Sequence, residues 1–479
     1  MLHKITPLNV LNATIILLFV ALVVVLPSWH FMTPFTIWFM DGQRILELLL
    51  LSLVLMGGVS VKKSHSNNSI PILFNPKIRY ALFILLALAI VSSVLAISPR
   101  HALIEVSTFA ALCYLALYVA YLFCEHEAHF IKYFICALWA SMLLFMITFY
   151  VVYAAAAVNR IPLIWPQPFI GFTNIRHFNQ YQLWGLGLIS LPLLYIEFKK
   201  HTRIFLQLVL AAWWAMLFYS ASRGVLLAWG FGLVMTVAVY RKLAWPLVKL
   251  QLVQITAGFL AYYFLFKLLP AFLKLQLVTG TVMRETANDR LALWLQAINL
   301  VKESPLFGVG PMHFAWNYQI SAHPHNSVLQ VAAEFGLPAI LIILAVAAYG
   351  IYCWINRFSA HNISTQSIKH KQLAVVLFFT IMASAAYSLV DGVIVMPISQ
   401  VLMFTIFGLM IGHYCNRETK TTIDTSLQRS RFRPIFAVVV LLAMIWSTLP
   451  EIIRGLSGHE KGFSVGYTAA GPRFWREVK

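Results

Sequence analysis

Residues 204–240 read IFLQLVLAAWWAMLFYSASRGVLLAWGFGLVMTVAVY. Two apolar runs, each close to the roughly 20 residues that cross a hydrocarbon layer, flank the polar turn Ser220-Ala221-Ser222-Arg223-Gly224. Backbone groups in lipid must bond within their own segment, so the stretch predicts two membrane helices joined by a tight turn. The same pattern recurs outward in both directions. Spans are predicted near 10–28, 44–61, 80–97, 102–123, 131–156, 179–197, 204–220, 223–240, 247–270, 327–355, 372–390, 393–415 and 434–449. A chain that is 61% hydrophobic and 11% charged, with mean hydropathy +0.80, has too little polar surface for a water-soluble globule. The predicted fold is all-α, a polytopic integral membrane protein of about 12–13 transmembrane helices with one large loop carrying short helices. Leu26-Pro27-Ser28-Trp29-His30 after the first run lacks a small-residue cleavage pattern, which predicts a retained anchor.

Lys and Arg in the connections set the orientation. Lys77 and Arg79, then Lys199, Lys200 and Arg203, then Arg241, Lys242 and Lys249, then Arg357, Lys369 and Lys371 fall in alternate loops, which predicts a cytoplasmic N-terminus. Five segments follow: N-terminal helices over 1–175, central helices with Arg176 and the Ser-Ala-Ser-Arg-Gly turn over 176–270, a periplasmic loop over 271–326, C-terminal helices over 327–449, and a periplasmic tail over 450–479. The net charge of +19 is dealt out loop by loop and forms no continuous stripe, so no nucleic-acid partner is expected; membrane lipids are. The five cysteines sit in spans or at their inner ends, and no disulfide framework is implied.

Positive charge on the outer side needs another explanation, and three segments supply it. Arg223 sits in the short turn, where Ser220 and Ser222 are candidate helix caps and Gly224 allows a tight backbone. Arg290 opens a short helix for which Asn288 or Asp289 is the candidate cap, with Leu291, Trp294, Ile298 and Val301 as its apolar face. A cation in a helix's first turn opposes the dipole and calls for an anion or for Asp289. His325 precedes the candidate caps Asn326 and Ser327, so it faces the positive end of a helix, which disfavours an imidazolium and suits a general base. Each residue also has an alternative reading: Arg223 reaching lipid headgroups, Arg290 paired with Asp289 alone, and His325 as a structural group or a metal ligand with His323. Taken together, two guanidiniums and a neutral base suit a lipid-linked pyrophosphate, whose departing charge the arginines would stabilise without a metal.

Ser220-Ala221-Ser222-Arg223-Gly224, Arg290-Leu291-Ala292-Leu293-Trp294 with Pro305-Leu306-Phe307-Gly308-Val309-Gly310, and His325-Asn326-Ser327-Val328-Leu329 with Glu334-Phe335-Gly336 resemble the serial signatures of the O-antigen ligase superfamily, over about residues 175–410. The resemblance implies a GT-C-like layout in the bacterial inner membrane. It implies a metal-independent, cofactor-free, inverting transfer of a glycan from undecaprenyl pyrophosphate to an acceptor hydroxyl at the periplasmic face. Arg223 and Arg290 would bind the pyrophosphate, and His325 would activate the hydroxyl. Asp391 occupies a place where the superfamily often has an acidic residue, to orient His325 or an arginine; a helix cap is the other reading of it. Arg176 brings a third outer arginine with no role assigned by the resemblance. Ser222, Asn326 and Glu334 are supporting candidates, Glu334 being placed inside the tenth span. The short tail after the last predicted span favours a lipid A-core acceptor, and so an O-antigen ligase, over a polymerase or a protein O-oligosaccharyltransferase. From another class, a carrier of polyprenyl-linked glycans predicts ionisable residues deep in several spans, and Glu334 is the one strong candidate.

Overall fold

The computed structural model describes residues 7–25, 27, 39–60, 75–164, 168–169, 172, 175–278, 287–317, 321–363, 365–415 and 432–456. The helices among them are α1 (Pro7–Val20), α2 (Phe39–Ser60), α3 (Pro76–Leu95), α4 (Pro99–Val158), α5 (Ile175–Leu186), α6 (Leu191–Tyr195), α7 (Lys200–Tyr219), α8 (Arg223–Tyr240), α9 (Trp245–Tyr263), α10 (Leu269–Leu273), α11 (Ala287–Glu303), α12 (Phe314–Asn317), α13 (Ser327–Phe335), α14 (Leu337–Phe358), α15 (Ile368–Tyr387), α16 (Pro397–Cys415) and α17 (Phe432–Leu456). The one extended pairing among the described residues is two residues long, Leu163–Ile164 beside Leu277–Val278. The chain is an all-α polytopic membrane protein, as its composition predicts. Eight helical stretches among the described residues are long and apolar enough to cross a membrane, and Ala13–Val25 and Pro434–Pro450 are shorter apolar helices.

The differences from the thirteen predicted spans have local causes. Runs 102–123 and 131–156 are the two spans Pro99–Glu127 and His129–Val158, which follow one another through α4 across a kink where His126 leaves helical geometry at φ −137° and ψ 37°. Run 179–197 is broken into α5, a 3-10 turn at Leu188–Ser190, and α6. Pro192 cannot donate within a helix there, and Gly187 lets Phe379 and Thr380 approach where a Cβ would stand 2.7 Å from the Phe379 ring. Run 327–355 is two helices, divided at Gly336. Its φ of 87° is open to glycine, and a Cβ on it would lie 2.3 Å from the Leu306 carbonyl oxygen. Glu334 therefore lies outside the candidate span Leu337–Phe358 and not within one long helix as expected; it stands one residue before the end of the short helix α13. Helix α17 continues through Pro450 to Leu456, beyond the predicted start of the tail. Lys461, Arg473 and Arg476 of that tail lie outside the described residues, as does Arg284 in the large loop.

Close approach of small residues and stacked aromatics hold the bundle together. A Cβ on Gly232 of α8 would meet Ala383 of α15 at 2.8 Å, and one on Gly408 of α16 would meet the Ala116 carbonyl of α4 at 2.5 Å. Lipid is as apolar as the helix surfaces, so such close seams supply the dispersion that drives association. Phe145 stacks on Phe178 at 5.0 Å, and Tyr219 lies 4.5 Å from Phe266, which fixes α5 and α7 against α4 and the α9–α10 segment. Arg44 lies in α2. It is buried, bonding Glu47 at 2.5 Å, Gln400 at 2.7 Å and the Val395 carbonyl at 2.9 Å, so that its charge is met on three sides. All five cysteines are free.

Candidate active site

At one end of the bundle the start of α5, the α7–α8 turn, the start of α11, the residues before α13 and the α15–α16 turn meet. Each contributes one polar group. The turn after α15 supplies Asp391, which is buried. Its Oδ2 accepts the Tyr387 hydroxyl at 2.6 Å, and its Oδ1 accepts the Gly392 amide at 2.7 Å and faces His325 Nδ1 at 3.2 Å. Asp391 is thus no helix cap. Burial pushes its carboxyl up, but the bond and charge of His325, the Tyr387 hydroxyl and the nearby His323 outweigh that and hold it below the usual carboxylate range.

His325 stands just before α13, whose cap is Asn326; the Asn326 side chain accepts the Leu329 amide at 3.0 Å. His325 adopts φ 53°, a left-handed conformation that turns its ring back over Asp391. Its amide donates to His323 Nδ1 at 3.2 Å, which commits that lone pair and leaves it unavailable to a metal. The His323 ring packs where a Cβ on Gly392 would stand 2.3 Å away, so glycine beside Asp391 makes room for it. On its other side His325 Nε2 faces Arg176 Nη1 at 3.5 Å. A guanidinium can only donate, so this arrangement suits a ring that carries its proton on Nδ1 toward Asp391 and its lone pair on Nε2.

Arg176 lies in the first turn of α5, an element whose next residues, His177, Asn179, Gln180 and Gln182, are buried and polar. Asn179 accepts the Ser220 hydroxyl at 2.8 Å, tying α5 to the α7–α8 turn. In that turn the residue with positive φ is Ala221, at 56°. Gly224 serves close packing instead: a Cβ there would stand 3.0 Å from the Tyr387 ring. Ser222 occupies the cap position of α8 without making a side-chain cap bond; its hydroxyl bonds Tyr387. Arg223 follows, exposed, as the first residue of the helix.

Arg290 is partly buried in the first turn of α11, which begins at Ala287, so that Asn288 and Asp289 fall within the helix. Burial and the neighbouring Arg176 lower its pKa, Asp391 and Tyr387 act against them, and Arg223 lowers it further. Arg290 therefore lies within the fields of both other arginines and of Asp391. Arginine remains charged even so, which makes this a place where cations have been brought together at an electrostatic cost that an anion would relieve.

Beside the predicted apolar face, α11 buries a second stripe, against whose cluster Val301 of the predicted face also packs. Leu293, Ala297 and Leu300 pack with Phe314 and Ala333, whereas Leu291 and Ile298 are exposed; Trp294 is half-buried and donates to the Pro324 carbonyl at 3.1 Å. Behind it the glycine-rich turn lies against α13: Val309 donates to the Ala333 carbonyl and Gly310 to that of Glu334. Gly308, at φ 69°, approaches so closely that a Cβ would meet the Glu334 carbonyl carbon at 2.3 Å. The Glu334 carboxylate accepts the Phe314 amide at 3.1 Å and faces Gln330 at 3.4 Å. It supports the platform that presents His325.

Tyr387 was not singled out by sequence, although its place four residues before Asp391 at a helix end was a legible signal. His177, the residue after Arg176, lies buried beside the same cluster, within the field of Asp391, His325 and Arg176.

A comparison with curated proteins gave no match. Residues 208–344 match the family model described as O-antigen ligase, a stretch that holds Arg223, Arg290, His325 and Glu334 and leaves Arg176 and Asp391 outside it; over that stretch the chain is similar to the O-antigen ligase family.

Proposed function

We propose that the protein transfers a glycan from undecaprenyl pyrophosphate to an acceptor hydroxyl at the periplasmic face of the bacterial inner membrane, with inversion and without a metal. The observation that carries this reading is the gathering of Arg176, Arg223 and Arg290 around the His325–Asp391 pair. Three guanidiniums facing one carboxylate leave a surplus of positive charge, and planar forks of N–H donors match diphosphate oxygens. Asp391 holds the imidazole through Nδ1 and leaves Nε2 as the base.

In the reaction, Nε2 takes the proton of the acceptor hydroxyl as its oxygen bonds to the anomeric carbon. The bond from that carbon to the phosphate oxygen breaks on the opposite face, and the electron pair leaves with the undecaprenyl pyrophosphate. The arginines stabilise the charge that grows there, and His325 ends the step protonated beside Asp391. Arg176 has a double part. While no donor is bound it faces Nε2, and a pyrophosphate that draws the guanidinium toward itself frees Nε2 for the hydroxyl. Donor binding then precedes acceptor activation.

Lipid A-core is the first acceptor to offer, which would make the protein an O-antigen ligase. A glycan repeat, as for a polymerase, and a protein hydroxyl, as for an O-oligosaccharyltransferase, present the same group to the same base. A carrier reading loses its main support in Glu334, whose carboxylate is engaged by a backbone amide within the outer platform. The test is purified protein in detergent with a lipid-linked donor, EDTA, and each acceptor in turn. Acceptor-dependent release of undecaprenyl pyrophosphate is expected, and the productive acceptor names the subclass. Failure to consume the donor with any of the three contradicts the proposal.

A further inference from the structure

Glu127, His370 and His413 each bring a ligand atom to within 4.8 Å of the other two, at a place the reaction does not use. They come from three elements. Glu127 follows the bend of α4 at His126, His370 lies in the first turn of α15, and His413 lies in the last turn of α16. Tyr387 closes the other end of α15, about 26 Å from His370 at 1.5 Å per residue. The cluster therefore sits at the opposite end of the bundle from His325.

His370 Nδ1 is 3.0 Å from Glu127 Oε1, and these two side chains are 22% and 20% exposed, while His413 is buried. The His413 ring stacks on His370, with centroids 5.8 Å apart and planes 19° apart, and on Phe358 at 4.9 Å and 16°. Phe123 of α4 meets it edge-on at 6.0 Å. The histidine is thus held in a fixed plane, and the partly open Glu127 and His370 leave an entry path for an ion.

We propose that Glu127, His370 and His413 form a divalent-metal site, best suited to zinc, that clamps the bend of α4 to the near ends of α15 and α16. Two imidazoles and one carboxylate form a donor set that zinc takes with a fourth position left to water, and the nitrogen ligands disfavour magnesium and calcium, which prefer oxygen alone. A tetrahedral ion with bonds of about 2.0–2.1 Å holds its ligand atoms roughly 3.3 Å apart, so the Glu127–His370 pair is already near that spacing. The longest separation, 4.8 Å at most, closes by about 1.5 Å through side-chain rotation. The far ends of α15 and α16 are joined by the turn that carries Asp391, so the clamp fixes the two helices that hold that turn. This inference stands apart from the glycan-transfer proposal, since neither set of residues touches the other.

The experiment uses the whole protein in detergent, stripped with EDTA and titrated separately with Zn²⁺ and Co²⁺, alongside Glu127→Gln and His370→Gln. These two positions are partly exposed, so the variants are chosen to spare the buried His413. Expected are one ion per chain, the intense visible bands of four- or five-coordinate Co²⁺, and a melting temperature that rises with Zn²⁺ in the wild type. Each variant should weaken Zn²⁺ binding by at least about 100-fold, because removing even an outer-shell partner of a metal costs 10–100-fold. Circular dichroism checks that the variants keep wild-type helicity. Absence of stoichiometric binding, or equal Zn²⁺ affinity in the wild type and both folded variants, overturns the site and leaves an ion pair alone.

Discussion

His325 joins the two halves of the proposed chemistry, because one ring nitrogen faces a buried carboxylate and the other faces a guanidinium. Replacing it with alanine removes the base, and transfer should fall by about 10²–10⁴-fold, the range a positioned acid or base contributes. Helix content and melting should be retained, which circular dichroism checks, and an unchanged turnover rate would remove His325 from the reaction. Asp391→Asn keeps the shape but lets the amide present a donor to Nδ1. Transfer in that variant should drop by about 10²-fold or more, through kcat more than KM. The carboxyl of Asp391 is held below its ordinary value, so its contribution to stability is complete above the unfolded carboxylate pKa, about 3.9, and is lost as pH falls through the folded value. The melting-temperature gap between wild type and Asp391→Asn should therefore be constant from pH 7 down to about 5 and shrink only in stronger acid. A gap that instead opens on acidification would reverse the assigned sign. Arg223→Lys and Arg290→Lys should each lose about 10²-fold or more in turnover, since an ammonium cannot reproduce the planar fork. Full activity in both would make simple charge, not bidentate contact, the requirement.

Among the elements, α13 governs the site, because its nine residues carry the capped start that aims His325 and, one residue before their end, Glu334, which grips the loop behind it. Gly308 and Gly336 let that loop and helix interlock backbone to backbone. Gly308→Ala places a methyl group where a carbonyl carbon already stands. It should destabilise the platform behind His325 by about 2 kcal/mol or more and lower transfer with it, which thermal melting and turnover measured together will show. An alanine variant that melts and turns over as the wild type would mean that the interlock does not position the base. Element existence was largely legible in the sequence, since runs of lipid-crossing length are hard to mistake. Element continuity was not. The run 327–355 is apolar on average, and the break within it rests on the positive φ of Gly336 and on Pro338 in the first turn of α14, which an average hydropathy does not see. The second, buried stripe of α11 was hidden for a related reason: Leu291 and Ile298 are as apolar as Leu293 and Leu300, and only the position of Phe314 and Ala333 decides which pair packs inside the protein.

For the whole molecule, the bundle's topology turns distant signals into one site. Arg223, Arg290 and His325 stood out individually in the sequence, because cations and a histidine in short polar breaks between apolar spans are few. Their junction with Arg176 and Tyr387 was hidden, since α5 had to break and tuck its polar first turns under the α7–α8 turn before Arg176 could reach His325. The same topology separates this site from the Glu127–His370–His413 cluster by the length of α15. EDTA should accordingly lower the melting temperature while leaving turnover unchanged well below the transition, and a loss of turnover there that zinc restores would place a metal in the reaction itself. The central claim is that one diphosphate is gripped by the arginines in front of the His325–Asp391 pair. Its most direct test is an electron-microscopy structure of the protein with an undecaprenyl pyrophosphate-linked glycan that cannot be transferred. The account predicts diphosphate oxygens at about 3 Å from the guanidiniums of Arg223 and Arg290, with the anomeric carbon toward His325 Nε2. A diphosphate bound elsewhere, with those guanidiniums out of hydrogen-bond reach, would contradict it.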